Sequence, residues 1–576
     1  MLFITYVGIL FFRPIETEDI WWHLKAGEYI VHHHQVPQTD PFPFAGERTR
    51  WILTQWMGSL IYFLVYRMAG LSGLTFFRVG LFGLIVLIFM LYARRRLPLS
   101  GNILLSLLLA QALSYRVLLR PFVFNFLFIE LFLILLWAYQ RHPRRQYLFG
   151  IALSNLIWVN MHLGSFMYGL TLAGIFFLAA GTRAVRERTA SAVAQCRELG
   201  ILLVVLGASH LLTPYGPDGA LHPWRALFVT DYIYFHQLSQ SIAELLPPPL
   251  LSLRIFWWVF ALLALDIAAV KVADRDRFLK LILIAVSAGI FLIGRRGCVF
   301  FALSSGFVIA ETFAQSGTKW PPWLRRAAPF IALAVLTGVS WRPVTFLATA
   351  SVVDDGRLRP YFSIRTDPYC PRRTVDRMED YPVTGAVFND DKYGGYLLWR
   401  SYPRLRPFVD SRQINGKNFQ IYQDIRNNPQ TLWSKAQALF HFKAVLLDAS
   451  KAVNDRLVKY FQASPKWRSV FVEGSAVLWL PADGPAGGER SMMPFGQAGF
   501  VSDQVLDDEI NALLNSRPQS DQGVFYAYIE PEATGATLFY LGYQREGLRK
   551  ILEAYHITLD SGILHTLRLL QSQRQP

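Results

Sequence analysis

Apolar and polar residues follow one another in this chain as long blocks. Across residues 1–342, apolar runs of mostly about 15 to 21 residues recur between short basic connections, the pattern of helices long enough to cross hydrocarbon. The runs fall at about 1–12, 73–93, 101–115, 121–139, 147–160, 166–182, 198–213, 254–272, 278–293, 298–314 and 326–342, so about eleven spans are expected. The stretch 55–69 is also apolar, but Arg67 and the charge pattern read it as a juxtamembrane or re-entrant helix. The first run reaches about 18 Å against a hydrocarbon core of about 30 Å. Either the bilayer thins there or the true start lies upstream, and the lack of a basic n-region argues against a cleaved signal peptide.

After Pro343 the pattern turns polar and shorter. Ala386–Asn389, Pro407–Asp410 and Ala444–Leu447 read as strands, Gly394–Trp399 as a turn into a helix, Asn454–Phe461 as a helix, and 469–472 with 476–480 as a closing hairpin. This gives an α/β domain over 343–484, followed over 485–576 by a linker and a helical hairpin at 539–570. Leu541-Gly542 in that hairpin is similar to the Leu-Gly pair of a tetratricopeptide repeat, a unit that cannot bury its own face and must dock on something.

Composition agrees: of 576 residues 53% are apolar and 17% charged, against roughly 25% charged in soluble domains. A soluble or disordered protein is excluded. The net charge of +16 sits largely in clusters such as Arg94-Arg95-Arg96, Arg141 with Arg144 and Arg145, and Lys319 with Arg325 and Arg326. Such clusters between apolar runs report a cytoplasmic side and not a nucleic-acid partner. The amino terminus is therefore expected inside, and with an odd span count the C-terminal domain is expected outside, in a multi-pass protein of a bacterial inner membrane. Cys196, Cys298 and Cys370 would lie inside, in a span and outside, which leaves no disulfide framework.

The most informative segment is the first outer loop, 13–51. Glu16, Glu18 and Asp19 follow the first span directly, and from Asp19 the chain reads as an interfacial helix with Trp21, Trp22, Leu24 and Tyr29 suited to headgroups. His23 lies four residues after Asp19, on the same helical face. A carboxylate here can act as a general base or hold a divalent cation, Mg or Mn, against a phosphate. It can also simply cap the helix. His32-His33-His34 reads as a polar loop start, because three consecutive side chains cannot all face one ion.

Asp19-Ile20-Trp21-Trp22-His23-Leu24 with Gly27, followed by Val36-Pro37-Gln38-Thr39-Asp40-Pro41-Phe42, resembles the D-L-W-W-H-L-x-x-G and V-P-x-T-D-P-F signatures of bacterial polytopic proteins related to GT-C glycosyltransferases. Arg120-Pro121, Asn160-x-His162 and Thr213-Pro214-Tyr215-Gly216 extend the likeness. Leu71-x-Gly73 with Arg78 is similar to a segment of protein O-mannosyltransferases and the aminoarabinose transferase. The resemblance implies a GT-C-like transmembrane domain over 1–342, a catalytic role for Asp19, and a donor sugar on a polyprenyl phosphate. Thr17 stands where the relatives carry an aspartate, leaving Glu16 or Glu18 to substitute and putting metal binding in question.

The expected topology places several further polar residues at outer span ends. Arg120, Arg295, Arg296 and Arg78 suit the donor phosphate, since guanidinium grips phosphate oxygens bidentately, with His162 beside them; anchoring to lipid headgroups is the alternative. Tyr215 and Glu244, in or beside the outer loop 214–253, suit an acceptor cleft or lid. Glu130, Asp266 and Glu311 are ionisable at or near membrane depth, a functional flag or a helix-to-helix hydrogen bond. Phe388–Tyr396 with Asp410 resembles the W-W-D-Y-G region of oligosaccharyltransferase catalytic subunits without its tryptophans, and equally reads as a sheet-to-helix turn. The leading expectation is an inverting membrane glycosyltransferase acting on a glycan, lipid or protein acceptor. A non-catalytic envelope scaffold, or pseudo-enzyme, and a transporter or lipid flippase are the alternatives.

Overall fold

A computed structural model describes residues 2–15, 18–44, 49–228, 246–249, 253–272, 276–316, 350–354, 357–360, 370–412, 414–483, 510–514, 525–541, 543–558 and 560–573, besides isolated positions between 330 and 345 and at 508. The chain forms two units. A helical unit comprises Met1–Arg13, Ala26–Gln38 and Ile52–Val344, and a mixed unit comprises Pro14–Lys25, Thr39–Trp51 and Thr345–Pro576. The segment 13–51 is thus divided: its two limbs, Pro14–Lys25 and Thr39–Trp51, belong with the C-terminal residues, and the middle belongs with the helices.

The helices are α1 (Leu2–Phe11), α2 (Asp19–His33), α3 (Trp56–Ala93), α4 (Leu99–Ser114), α5 (Phe124–Arg141), α6 (Arg145–Met161), α7 (Phe166–Glu187), α8 (Ala190–Ala208), α9 (Gly216–Phe228), α10 (Leu253–Val272), α11 (Arg277–Ile293) and α12 (Cys298–Ser316). Among the described residues, Trp56–Ala93, Pro121–Arg141, Met167–Glu187, Ala190–Leu212 and Arg295–Gln315 are long and apolar enough to cross a membrane. Most of the run expected at 326–342 lies outside the described residues. The stretch 55–69, read as a juxtamembrane or re-entrant helix, forms the first part of α3 and is set off from the expected span by non-helical backbone at Ala69 and Gly70, where Gly70 takes a φ of +59° open to glycine.

Close approach explains one motif residue. A Cβ at Gly27 would lie 2.4 Å from the carbonyl oxygen of Ser59, so only glycine lets the second half of α2 pack directly on α3. Further along, a buried carboxylate ties three segments. Glu311 of α12 meets Arg96 at 2.5 Å and Arg141 at 3.0 Å, and accepts a hydrogen bond from Tyr92. A carboxylate with 1% exposure is tolerated only because those cations neutralise it.

The mixed unit holds two sheets. The larger has strand order β4 (Leu405–Pro407), β3 (Gly385–Asn389), β5 (Ala444–Asp448), β7 (Ala476–Pro481), β6 (Trp467–Glu473). The first three strands are parallel, with Val387 opposite both Pro407 and Ala444, and the last two run antiparallel. Helix α14 (Asp391–Ser401) leads from β3 to β4, and α15 (Gly416–Asn427) with α16 (Pro429–Phe440) return from β4 to β5 on the other side of β3. Phe388, Phe408, Trp433 and Phe442 interlock with ring centroids 5.1–5.8 Å apart and form the core of this sheet.

A smaller sheet, unforeseen from the pattern, pairs β1 (Ala350–Asp354) with β2 (Arg357–Pro360) and, in parallel, with β8 (Phe525–Ile529). Val353 of β1 packs with Leu548, Ile551 and Leu567 of the terminal helices α18 (Glu530–Tyr540), α19 (Gln544–Thr558) and α20 (Ser561–Ser572). The remaining helices are α13 (Arg372–Asp380) and α17 (Asp455–Ala463). A Cβ at Gly535 would lie 2.6 Å from the carbonyl oxygen of Gly547, so α18 and α19 meet backbone to backbone.

Candidate active site

In the helical unit the polar residues gather around one ring. Arg120 precedes Pro121, is extended as a residue before proline prefers, and introduces the short turn that presents Phe122. The guanidinium carbons of Arg116 and Arg296 lie 5.6 and 5.8 Å from the Phe122 ring centroid, cation–π distances, and His162 meets the same ring edge-on at 5.5 Å. The amide nitrogen of Gln55 lies 3.0 Å from His162 Nε2. Arg116 and Gln55 were not singled out as donor ligands from sequence; an arginine four residues before Arg120 was the available signal for the first.

The other expected phosphate ligands diverge. Arg78 is 1% exposed and donates to the carbonyl oxygen of Arg13. Arg295 turns to the 246–247 segment, its backbone N–H donating to Leu246 and its Nε to Pro247. Tyr215 acts as a clamp: its hydroxyl accepts from the N–H of Leu53 at 2.8 Å and donates to the carbonyl oxygen of Pro37 at 2.9 Å. That bond joins two of the resemblance's motifs, T-P-Y-G and V-P-x-T-D-P-F.

The mixed unit carries the acidic segment. Asp19 opens α2, and its carboxylate accepts from Trp22 Nε1 at 3.2 Å. Trp22 lies against His23 at 3.6 Å between ring centroids, and His23 is buried. Glu16 and Glu244 lie outside the described residues. Against this segment stands the carboxyl end of the parallel strands. Asp390 caps α14 through the N–H of Lys392, pairs with Lys451 at 2.7 Å and accepts from Asn454 at 2.7 Å. Lys392 pairs with Asp448, and Lys451 lies 3.6 Å from Asp391.

Carboxylates outnumber lysines in this cluster, and the acidities record it. Burial and the neighbouring Asp390 push Asp391 up to about 6. Burial alone would raise Asp390, but Lys451 and the hydrogen bonds to it hold it below the usual range. Glu18 is an exposed residue, and crowding by protein around its carboxyl with repulsion from Asp391 and Asp19 pushes it up to about 7 against Lys451 and Lys392.

The second limb is fixed by a buried arginine the sequence reading missed. Arg412 is 3% exposed and bonds Asp40 at 2.8 Å and Asp410 at 2.8 Å, with Trp51 and Phe42 under its guanidinium at 5.1 and 5.4 Å. Asp40 and Phe42 belong to the V-P-x-T-D-P-F motif, so that motif serves as an anchor. Among the described residues no group of three or more His, Cys, Asp or Glu side chains is placed to hold a metal ion, so the expected Mg or Mn at Asp19 lacks a ligand set there and no chemical step is assigned to it.

No family model matches the sequence, and no curated protein matches it. Solved structures match the fold. The archaeal oligosaccharyltransferase AglB from Archaeoglobus fulgidus, in complex with an inhibitory peptide and a dolichol-phosphate, aligns at TM-score 0.51 and 13% identity over 78% of this chain and 69% of that one. The same organism's oligosaccharyltransferase aligns in its apo form at 0.51 and 14%, over 78% and 69%, and in complex with Zn and sulfate at 0.53 and 14%, over 78% and 68%. The chain shares its fold with this archaeal oligosaccharyltransferase.

Proposed function

We propose that this protein is an inverting membrane glycosyltransferase that moves a sugar from a polyprenyl-phosphate-linked donor to an extracytoplasmic acceptor. The observation that carries the reading is the position of Asp19: in a chain that shares the fold of an archaeal oligosaccharyltransferase, it heads α2 and its carboxylate accepts a hydrogen bond from Trp22. The archaeal relative's bound dolichol-phosphate and inhibitory peptide support a lipid phosphate donor and a separate acceptor. The acceptor is a glycan, lipid or protein. The basic clusters support a bacterial inner-membrane protein with its amino terminus cytoplasmic and its C-terminal domain extracytoplasmic.

In this reading Asp19 takes the proton from the acceptor's nucleophilic atom as that atom bonds to the anomeric carbon. The bond from that carbon to the phosphate oxygen breaks on the opposite face, and the lipid phosphate leaves with the electron pair. The cations that the helical unit offers to such a phosphate are Arg120, Arg296 and Arg116, fixed dipoles and cations being most effective where charge develops. His162, held by Gln55, orients the donor. Arg78 and Tyr215 support the site through the backbone bonds that fix the loop segments at Arg13, Pro37 and Leu53. Glu18 and His23 act on Asp19 through charge and through Trp22.

The test is transfer by the purified full chain in nanodiscs, offered a panel of polyprenyl-phosphate sugars. Turnover by the native protein, lost in Asp19→Asn with donor binding retained, is expected. Thr17, at the position where relatives carry aspartate, favours a second reading as a donor-binding scaffold; donor binding without product in both proteins would establish it.

A further inference from the structure

In open α/β sheets, ligands bind in the crevice outside the carboxyl ends of the strands, where neighbouring connections depart to opposite sides. The larger sheet has that crevice above β3, because α14 leads to β4 on one side while β5 lies on the other. Here it is filled by the chain itself. A Cβ added to Gly395 would lie 2.9 Å from the carbonyl oxygen of Glu18, 3.7 Å from Trp21 Cβ and 3.8 Å from Trp22 Cδ1. Trp21 packs edge-on against Tyr396, the next residue of α14, at 4.8 Å. The backbone contact at 2.9 Å is too close for any side chain, and the neighbour that would have to move is main chain. The Gly394-Gly395 pair therefore does two separate tasks: a Cβ at Gly394 would strike the carbonyl oxygen of Val409 within the sheet unit itself, while Gly395 admits the acidic segment.

We propose that the carboxyl end of this sheet is a seat for the first outer loop, with Gly395 and Lys451 as positioning residues that set the attitude of Asp19 through Glu18 and Trp22. Gly395 fixes how near the segment's backbone can come. Lys451, bonded to Asp390 and close to Asp391, places a positive charge in the field of Glu18. Trp22 then transmits that position, since its indole N–H bonds the Asp19 carboxylate. The titratable groups facing Glu18 are Asp19 on its own element, Asp391 and Lys392 from α14, and Lys451 from the turn after β5. The positioning part rests on the proposed transfer reaction; the seat itself does not.

The experiment combines hydrogen–deuterium exchange with kinetics on the full chain in detergent micelles. In Gly395→Ala and Lys451→Met, peptides covering residues 14–25 should exchange at least about fivefold faster, and Lys451→Arg should restore protection. Transfer by Gly395→Ala should lose kcat by about tenfold to a hundredfold, as small misplacements of a catalytic group do, with the donor KM unchanged. Lys451→Met should also move the pH profile of transfer alkaline, a shift that loss of structure alone does not produce. Unchanged exchange in both variants overturns the seat, whatever the activity. Faster exchange with native kcat and native pH profile overturns the positioning role. If the native chain turns over no donor, the transferase reading fails while exchange still decides the seat.

Discussion

Both units bury carboxylates among cations, and they balance them differently. Glu311 in the helical unit faces two arginines and a tyrosine hydroxyl, so its charge is fully neutralised. The cluster at the carboxyl end of the larger sheet sets Asp390, Asp391, Asp448, Glu18 and Asp19 against Lys392 and Lys451. Burial and repulsion among these carboxylates raise Glu18 to about 7 and Asp391 to about 6. A balanced knot is architecture, whereas groups poised near neutrality beside a candidate base are the usual companions of chemistry.

The largest effect expected from breaking this comparison is at the balanced knot. Glu311→Ala leaves Arg96 and Arg141 facing each other without their carboxylate and should cost about 3–5 kcal/mol, the range for removing one partner of a buried pair. Thermal unfolding of the full chain in detergent checks it, and a loss below about 1 kcal/mol would show that the knot is not structural. A smaller and pH-dependent effect is expected in the acid-rich cluster. Glu18 and Asp391 rise from ordinary values of 4.5 and 3.8 to about 7 and about 6, so the folded chain holds protons that the unfolded chain has released. Their contribution favours the folded state at the acid end and is lost as pH rises from about 4 to 7. Asp390 and Asp448 are depressed, so theirs is present above the ordinary aspartate value and lost only as pH falls through their lowered values. Melting temperature should therefore decline from pH 4.5 to 7, and Asp391→Asn should flatten that decline; a steady rise over this range would contradict the assignment. The smallest effect is a control on the surface. Arg145 pairs with Glu198 at 2.8 Å but is 80% exposed, and Arg145→Ala should leave the melting temperature unchanged.

The long apolar helices were legible because each reports its own apolar run, whereas Gly216–Phe228, Gly416–Asn427 and Pro429–Phe440 carry no such run and were not read. Two strands of the larger sheet were legible for the same local reason, as Gly385–Asn389 and Ala444–Asp448 show, while the strand expected at Pro407–Asp410 lies at Leu405–Pro407. What could not be read was pairing at a distance. Glu18 and Asp391 are far apart in the chain, and no periodicity joins them. Arg412 is silent in sequence because its partner Asp40 lies in another segment, and Asp40 stood only as one residue of the V-P-x-T-D-P-F signature. The kink in α3 was hidden by an ordinary Gly in an apolar stretch, and β1, β2 and β8 are short strands whose sheet forms only when Phe525–Ile529 returns to Ala350–Asp354. Among the candidate residues, Asp19, His162 and Arg296 stood out in sequence, while Gly395 and Lys451 gain meaning only from what lies against them.

The measurement that most directly tests the account is single-turnover transfer from a polyprenyl-phosphate sugar by native chain and Asp19→Asn, with donor binding and melting temperature recorded for both. The account predicts that the variant binds donor and melts as the native chain does, but transfers about 10²- to 10⁴-fold more slowly, the range for loss of a general base. Transfer by Asp19→Asn at the native rate would contradict it.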